Sequence, residues 1–405
     1  MLQALKQRAI ARLWFGQALS TIGDQIYGVG ITWLAVGLVG ADAGYMHAGQ
    51  AAAMMIFSLV GGYWADRWSP VKTMVFTDMI RAGVVLFPVV WSYFSPISLG
   101  VLWFVSLALA SSSAFFEPAM QTLLPRLARD RESLVSATGL MATTFRMARM
   151  VGPTIVGLLS SVIPMIHFFT VNALTYIASA FSLNSIPAID PEATSFGGTK
   201  AQERGSIWVT IKSGYDAVKA RPGVMSIFVV RAVNGGSWIV VMGLGLALFV
   251  REMTGSADAR QFGLVMGSYG FGNFFGALFF GNIRRASNSF MIFGGYIWLG
   301  VMFVLMGFAP TIGWVMAAAA VAGFSGPMND LGFIDMIQRR FPVDELARVT
   351  RLRIVLETGV WLFCMLLAPS LFRMFPVRAV IIACGVVYAA CGVVGLLMKD
   401  ATRET

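Results

Sequence analysis

Long apolar segments recur along the whole chain, and this feature limits the fold more than any other. A helix needs about 20 mostly apolar residues to cross the roughly 30 Å hydrocarbon core of a bilayer. The segments meet that length, and 57% of the 405 residues are hydrophobic while 12% are charged. Soluble proteins carry about twice that charged fraction. Soluble enzymes, disordered chains and fibrous proteins are therefore excluded, and the sequence predicts an all-α polytopic membrane protein.

Polar or Pro/Gly interruptions divide the apolar segments into twelve candidate transmembrane helices. These spans cover 13–39, 46–65, 72–93, 97–121, 134–160, 164–186, 222–250, 260–281, 289–308, 311–337, 349–372 and 377–398. The longest interruption, 187–221, separates six spans from six. We therefore predict an N-terminal six-helix bundle over 1–186, a linker over 187–221 with an amphipathic helix at Trp208–Lys219, and a C-terminal six-helix bundle over 222–405.

The basic residues predict the orientation of these spans. With the N-terminus inside, 22 Lys and Arg fall on the cytoplasmic side and four on the opposite side. Such an excess is typical of cytoplasmic loops. We therefore expect a multi-pass protein of a bacterial cytoplasmic (inner) membrane, with both termini cytoplasmic. The net charge of +10 is explained by contact with anionic membrane lipids, so no nucleic acid partner is expected.

Motifs for enzymatic chemistry are missing from the sequence. There is no Walker loop, no His/Glu metal motif and no Gly-x-Ser-x-Gly elbow. The three cysteines all fall in the last two spans, which indicates helix packing. We expect no enzyme activity, no cofactor and no metal, and we expect a monomer. Energy for any transport would come from an ion gradient or from the substrate.

Two stretches repeat at an offset of 213 residues. The segment 131–138 resembles 344–350, and the same offset places Glu117 opposite Asp330. The match indicates a duplicated six-span unit. Duplicated bundles commonly bind substrate at the midplane between their halves.

Polar residues inside the N-terminal spans are candidates for function, because ionisable groups at membrane depth are costly. Gln17, Thr21 and Asp24 share one face of span 1, and Glu117 lies on a polar face of span 4. Span 5 carries Arg146 and Arg149 near the midplane. These acids and arginines are predicted to surround one cavity. In one interpretation, Asp24 or Glu117 takes up protons while an arginine tunes the pKa of that carboxylate or binds an anionic substrate group. In the other interpretation, the charges form a static ion pair.

Further charged residues suggest pairing and gating. In the C-terminal half, Arg231 and Glu357 lie at similar depth, so we expect them to pair, with structural pairing the favoured reading. Asp330 approaches the cytoplasmic end of span 10 and is predicted to act in a gate. Asp78 and Arg81, three residues apart in span 3 and close to the turn between spans 2 and 3, are predicted to form a pair that supports a gate.

A family resemblance rests on several of these stretches. Gly62-Tyr-Trp-Ala-Asp66-Arg67, in the turn between spans 2 and 3, resembles the signature loop of the major facilitator superfamily. Arg149-Met-Val-Gly152-Pro153 resembles the antiporter signature of its exporter branches. Leu13-Trp-Phe-Gly-Gln17 and Phe116-Glu-Pro-Ala119 are similar to the branch of macrolide-efflux and enterobactin-exporter proteins. Family basic residues after Arg67 and in span 4 are missing here.

The resemblance implies a secondary active exporter that works by alternating access and proton antiport. Its substrate would be a small amphipathic molecule of the drug, macrolide or siderophore class, so multidrug efflux and siderophore export both stay open. It also implies gate and packing roles for Gly62, Asp66, Arg67, Gly152 and Pro153. Two alternatives remain: a flippase-like transporter of lysophospholipid, and a membrane protein without transport activity.

Overall fold

The structure, a computed structural model, describes residues 2–65, 69–187, 207–255, 257–283 and 289–397. Within these ranges every regular element is helical, and each of the twelve predicted spans corresponds to a helix or to consecutive helical segments. The predicted all-α class is therefore confirmed. The signature residues Asp66 and Arg67 lie outside the described residues, as does most of the predicted linker.

The first six spans form six long α-helices. They are α1 (Arg8–Val39), α2 (Ala43–Ala65), α3 (Pro70–Ser92), α4 (Leu99–Leu127), α5 (Arg131–Leu159) and α6 (His167–Asn184). A short helix, α7 (Ile207–Lys219), follows, one residue longer than the predicted amphipathic helix.

In the described part of the last six spans there are seven α-helices, because a π-helical turn divides the first of these spans into two. They are α8 (Val224–Ile239), α9 (Leu246–Thr254), α10 (Arg260–Phe280), α11 (Gly295–Gly307), α12 (Ile312–Arg340), α13 (Val343–Met374) and α14 (Val377–Leu397). The π-helical turns are Val240–Gly245, which joins α8 to α9, and Phe290–Gly294, which precedes α11.

Local sequence explains several helix ends. The Asp130 carboxylate accepts a hydrogen bond from the backbone N–H of Ser133 at 2.7 Å and caps α5. Ser98 caps α4 in the same way. Gly223, before α8, and Gly255, after α9, adopt φ of 75° and 60°. Glycine takes this left-handed conformation at little cost, so Gly223 allows α8 to begin and Gly255 allows α9 to end at these positions.

Eight helical stretches among the described residues are long and apolar enough to cross a membrane. The first of them, Arg8–Phe57, covers α1 and part of α2. Helices α5, α6 and α12 are more polar and do not meet that criterion; α5, for example, carries Arg146 and Arg149. The chain is a multi-pass membrane protein in which some helices carry polar residues in their middle.

The helices group into two compact units. The first unit comprises Met1–Leu38 with Ala52–Arg204, and the second comprises Val39–Ala51 with Gly205–Thr405. In the first unit, Leu13, Met74, Phe116 and Leu123 form a buried core. Because the linker is largely outside the described residues, the three-part division at 187 and 221 stays a prediction.

Glycines let α10 and α12 touch in the second unit. A Cβ atom on Gly272 would overlap the carbonyl oxygen of Ala320, and one on Gly323 would overlap the carbonyl oxygen of Tyr269. Small residues permit such backbone contact between membrane helices. This packing holds the α10 side chains in register with α12.

The turn that precedes α2 belongs to the second unit. Arg373 donates to Asp42 at 2.7 Å and to the Tyr45 hydroxyl at 3.3 Å. Helix α7 packs in the same unit, with Gly214 against the carbonyl of Arg348 on α13.

Candidate functional site

Two clusters of charged residues lie inside the helical units, one in each. The first begins at Asp24 on α1, whose carboxylate accepts a hydrogen bond from the Tyr176 hydroxyl on α6. Asn172, one turn before Tyr176, is fully buried beside Asp24. The two helices approach closely because Gly23 has no side chain; a Cβ there would overlap Thr175 and Asn172.

Arg81 on α3 joins this cluster from the other side. Its guanidinium lies 3.5 Å from Asp78 and donates to the Ser113 hydroxyl on α4 at 3.0 Å. It also lies over the rings of Phe116, at 4.4 Å, and Tyr176, at 5.6 Å. Arg81 is 5% exposed and Asp78 is fully buried. Such a pair requires partners, because an isolated buried charge is very costly.

Asp78 contacts this guanidinium directly, and Asp24 and Glu117 lie close enough to sense its charge. The charge of Arg81 acts on Asp24, on Asp78 and on Glu117. We expected Arg146 or Arg149 to be the partner of these acids and placed Arg81 at a gate. The contacts of Arg81 add it to the Asp24 cluster as a cation, and pairing of these acids with Arg146 or Arg149 stays a prediction. The available sequence signal is the position of Arg81 in the middle of span 3, where an arginine is costly unless it has a function.

The other predicted residues of this unit occupy nearby helices. Gln17 is 8% exposed and lies two turns before Asp24 on α1, with Thr21 between them. On α5, Arg149 lies over the ring of Phe145 at 5.0 Å. Arg146 lies on the same helix, three residues earlier.

Gly152 provides the contact between α5 and α1. A Cβ atom at Gly152 would lie 2.5 Å from Cβ of Gln25 and 3.1 Å from the carbonyl oxygen of Ile22. Pro153, which follows, is buried. The antiporter-like motif thus packs against the part of α1 that carries Asp24. Gly62 lies in α2, close to the end of the described helix.

The second cluster is centred on Arg231 of α8. Its guanidinium donates to Glu357 of α13 at 2.6 Å and to Asp330 of α12 at 2.9 Å. It lies over the ring of Phe333 at 4.5 Å, and the Arg353 guanidinium lies 6.0 Å from the same ring. The structure thus forms the Arg231–Glu357 pair and adds Asp330, which sequence reasoning had placed at a gate.

An aromatic group lies beyond this cluster on the same helices. Trp238 of α8 and Trp361 of α13 have ring centroids 6.3 Å apart and an interplanar angle of 29°. The Trp238 indole N–H donates to the Tyr269 hydroxyl of α10 at 3.0 Å. Trp238 follows Arg231 by seven residues and Trp361 follows Glu357 by four, so each tryptophan shares a helix face with its charged neighbour. This spacing was the available signal.

Comparison with known proteins gives one family match. The model of a family described as transmembrane secretion effector matches residues 1–334. The search of curated proteins finds no match.

Solved structures with the same fold are transporters. A POT family transporter in complex with a thioalcohol-conjugated peptide has a TM-score of 0.74 and 11% identity, covering 98% of this chain and 97% of that one. The POT family transporter PepTSo has a TM-score of 0.72 and 13% identity, covering 98% of each chain. A bacterial homologue of the iron transporter ferroportin, in an inward-facing state, has a TM-score of 0.72 and 13% identity, covering 98% and 99%. At such low identity the likeness shows the fold.

Proposed function

Because the chain belongs to the transmembrane secretion effector family of the major facilitator superfamily, we propose that it exports a small amphipathic molecule by alternating access, coupled to proton antiport. The observation that carries the coupling is the cluster around Arg81, in which Asp78 is buried, Asp24 is half-buried and Glu117 is exposed. A drug, a macrolide or a siderophore would each be an amphipathic substrate of this kind. The solved transporters of the same fold include one bound to a conjugated peptide, which supports a small-molecule substrate.

Charge counting explains why this cluster suits proton coupling. One guanidinium among three carboxylates would leave two uncompensated negative charges close together if all three carboxylates were ionised. Binding of a proton to one carboxylate lowers that imbalance, and release of the proton restores it. A cluster that gains and loses charge in this way favours different conformations in its two states. Coupling to a proton gradient follows when each conformation opens the site to one side.

Asp24 is the proposed proton carrier. Its hydrogen bond from Tyr176 joins α1 to α6, and the charge of Arg81 joins it to α3. Protonation of Asp24 would weaken its attraction to Arg81 and leave the guanidinium with Asp78 and Ser113. The contacts among α1, α3 and α6 therefore depend on the charge of this one carboxylate. Glu117 on α4 is the second candidate, since it senses the same guanidinium.

The test is proton-driven export in proteoliposomes. Asp24→Asn keeps the size and hydrogen-bonding capacity of the side chain but removes its titration. We expect this variant to lose export driven by a pH gradient and to retain exchange of substrate across the membrane. Glu132→Gln, a change at an exposed acid in the first turn of α5, serves as the control and keeps normal export.

Normal pH-dependent export by Asp24→Asn would reject Asp24 as the carrier and move the test to Glu117→Gln. Movement of lysophospholipid that needs no pH gradient would favour the flippase-like alternative. The proposal also includes a location: a bacterial cytoplasmic membrane with both termini in the cytoplasm, as the distribution of basic residues predicts.

A further inference from the structure

We infer that the second unit contains a binding subsite for an uncharged planar aromatic ring with an amide-like edge, formed by Trp238, Trp361 and Asn234. The inference rests on the proposed function, because it specifies a part of the substrate that such a transporter would carry. It uses only contacts within the second unit.

The ring surface comes from two tryptophans. The centroid separation of 6.3 Å and the angle of 29° between Trp238 and Trp361 describe a nearly parallel pair. Aromatic rings attract one another in offset, nearly parallel arrangements over such distances. Both side chains are partly exposed, so each retains ring surface for a further ring. The hydrogen bond from Trp238 to the Tyr269 hydroxyl fixes the orientation of one of the two indoles.

The hydrogen-bonding groups of the subsite come from buried polar atoms without partners. Asn234 is 1% exposed, and among the described residues neither its amide nitrogen nor its amide oxygen has a hydrogen-bond partner. The buried indole nitrogen of Trp361 likewise finds no acceptor in the described part of the chain. Buried polar groups are normally paired, and leaving one unpaired is destabilising. Two such residues in one region point to a ligand that supplies the partners.

Gly235 brings these groups together. A Cβ atom on Gly235 would lie 2.7 Å from the indole nitrogen of Trp361, so only glycine lets the indole approach the α8 backbone here. Gly235 directly follows Asn234. On α8, Arg231, Asn234 and Trp238 are separated by three and four residues and therefore share one face. The unpartnered amide thus lies between the charged cluster and the aromatic pair.

The surrounding charges favour a ligand without net charge. Arg231 and Arg353 lie near the ring of Phe333, and Asp330 and Glu357 both pair with Arg231. Two guanidinium groups and two carboxylates balance one another. An added ion would disturb this balance, whereas a neutral ring would not. Adjacent C=O and N–H groups on the ring edge match the donor and acceptor of the Asn234 amide.

The probe for this subsite is phenanthridinone, a planar tricyclic lactam, with phenanthrene as the matched ring that lacks the lactam edge. Binding to the purified full-length protein in detergent is measured by energy transfer from tryptophan to the probe and by probe anisotropy. We expect phenanthridinone to bind about tenfold more tightly than phenanthrene, which corresponds to about 1.4 kcal/mol. Equal affinity for the two probes would overturn the inference.

Three variants test the residues. Trp361→Leu removes ring and N–H and is expected to weaken binding about tenfold or more, whereas Trp361→Phe keeps a ring and weakens it about fivefold. Asn234→Leu is expected to weaken lactam binding about fivefold and leave phenanthrene binding unchanged. Anisotropy provides the affinities, because tryptophan removal itself reduces energy transfer.

The matched control is Trp298→Leu. Trp298 lies on α11 of the same unit, and its indole N–H already donates to the carbonyl of Val321 at 3.1 Å. The control should bind phenanthridinone within about twofold of wild type. A loss in Trp298→Leu equal to that in Trp361→Leu would overturn the inference, as would unchanged lactam affinity in Asn234→Leu. A single symmetric elution peak for each variant shows that it is folded.

Failure of this inference and failure of the proposed function have different signatures. Lactam binding that responds to Trp361 and Asn234, in a protein that exports nothing under a pH gradient, supports the subsite and contradicts proton-driven export. Proton-driven export of other amphipathic molecules by a protein that does not bind the lactam keeps the function and overturns the subsite.

Discussion

Substitution of Gly272 by alanine is predicted to destabilise the second unit. The new Cβ would overlap the carbonyl oxygen of Ala320 and lie 2.8 Å from its carbonyl carbon and 2.9 Å from the nitrogen of Phe324. Carbon atoms in contact are normally about 3.5–4.0 Å apart, so α10 and α12 must separate by roughly 1 Å. Overpacking costs about 1–3 kcal/mol, and the upper value applies because a backbone carbonyl cannot rotate away.

Alanine also gains about 1 kcal/mol in helix propensity over glycine, which leaves a net loss of about 2 kcal/mol. For a unit of roughly 200 residues this corresponds to unfolding about 4–8 °C lower. The midpoint is measured in detergent with a thiol-reactive dye, which reports on Cys364, Cys384 and Cys391. All three cysteines are free, partly buried and located in the second unit.

Gly359→Ala is the matched control, since no described atom lies within 4 Å of a Cβ built there. It gains the same propensity without a clash, so its midpoint should rise slightly. A midpoint for Gly272→Ala at or above that of wild type would refute the argument that direct backbone contact between α10 and α12 holds this unit together.

Three further predictions concern the first unit and the topology. Arg81→Met removes the cation beside Asp78 and should lower the free energy of unfolding by about 3–5 kcal/mol and abolish export. Arg81→Lys should restore part of both, and a melting temperature of Arg81→Met equal to that of wild type would contradict the assigned cluster. Gly152→Leu should displace α1 beside Asp24, with a stability loss of about 1–3 kcal/mol and slower export; unchanged export would separate this contact from function. An impermeant thiol reagent added outside intact cells should label Ala257→Cys but not Ser195→Cys, with wild type as background, and equal labelling would reverse the orientation.

The charged residues show how far sequence reasoning reaches into the site. Arg231 and Glu357 were expected to pair because both lie at similar depth in their spans, and the structure joins them at 2.6 Å. Asp24 and Glu117 were expected to share one environment, and both sense one guanidinium. The structure adds Arg81 on α3 to this environment, a residue that we expected to support a gate, and a role for Arg146 or Arg149 beside these acids stays a prediction. Depth along a helix is readable from sequence, but the choice among several arginines at similar depth is not.

The aromatic group shows the same limit. The helical spacing of Trp238 from Arg231, and of Trp361 from Glu357, placed each tryptophan on the face of its charged neighbour. That these faces meet, and that Gly235 admits the indole of Trp361, follows only from the packing of α8 against α13.

The sequence by itself determined the helical class and the position of each polar residue along its helix. The physical reason is that a bilayer offers no hydrogen bonds to the backbone, so every apolar segment of sufficient length must form a helix. Tertiary structure alone decided which faces of these helices meet and therefore which charges become partners. Between apolar helices that decision depends on close contacts at small residues such as Gly23, Gly152 and Gly272. The effect of those contacts depends on two surfaces at once, and a single helical segment contains only one of them.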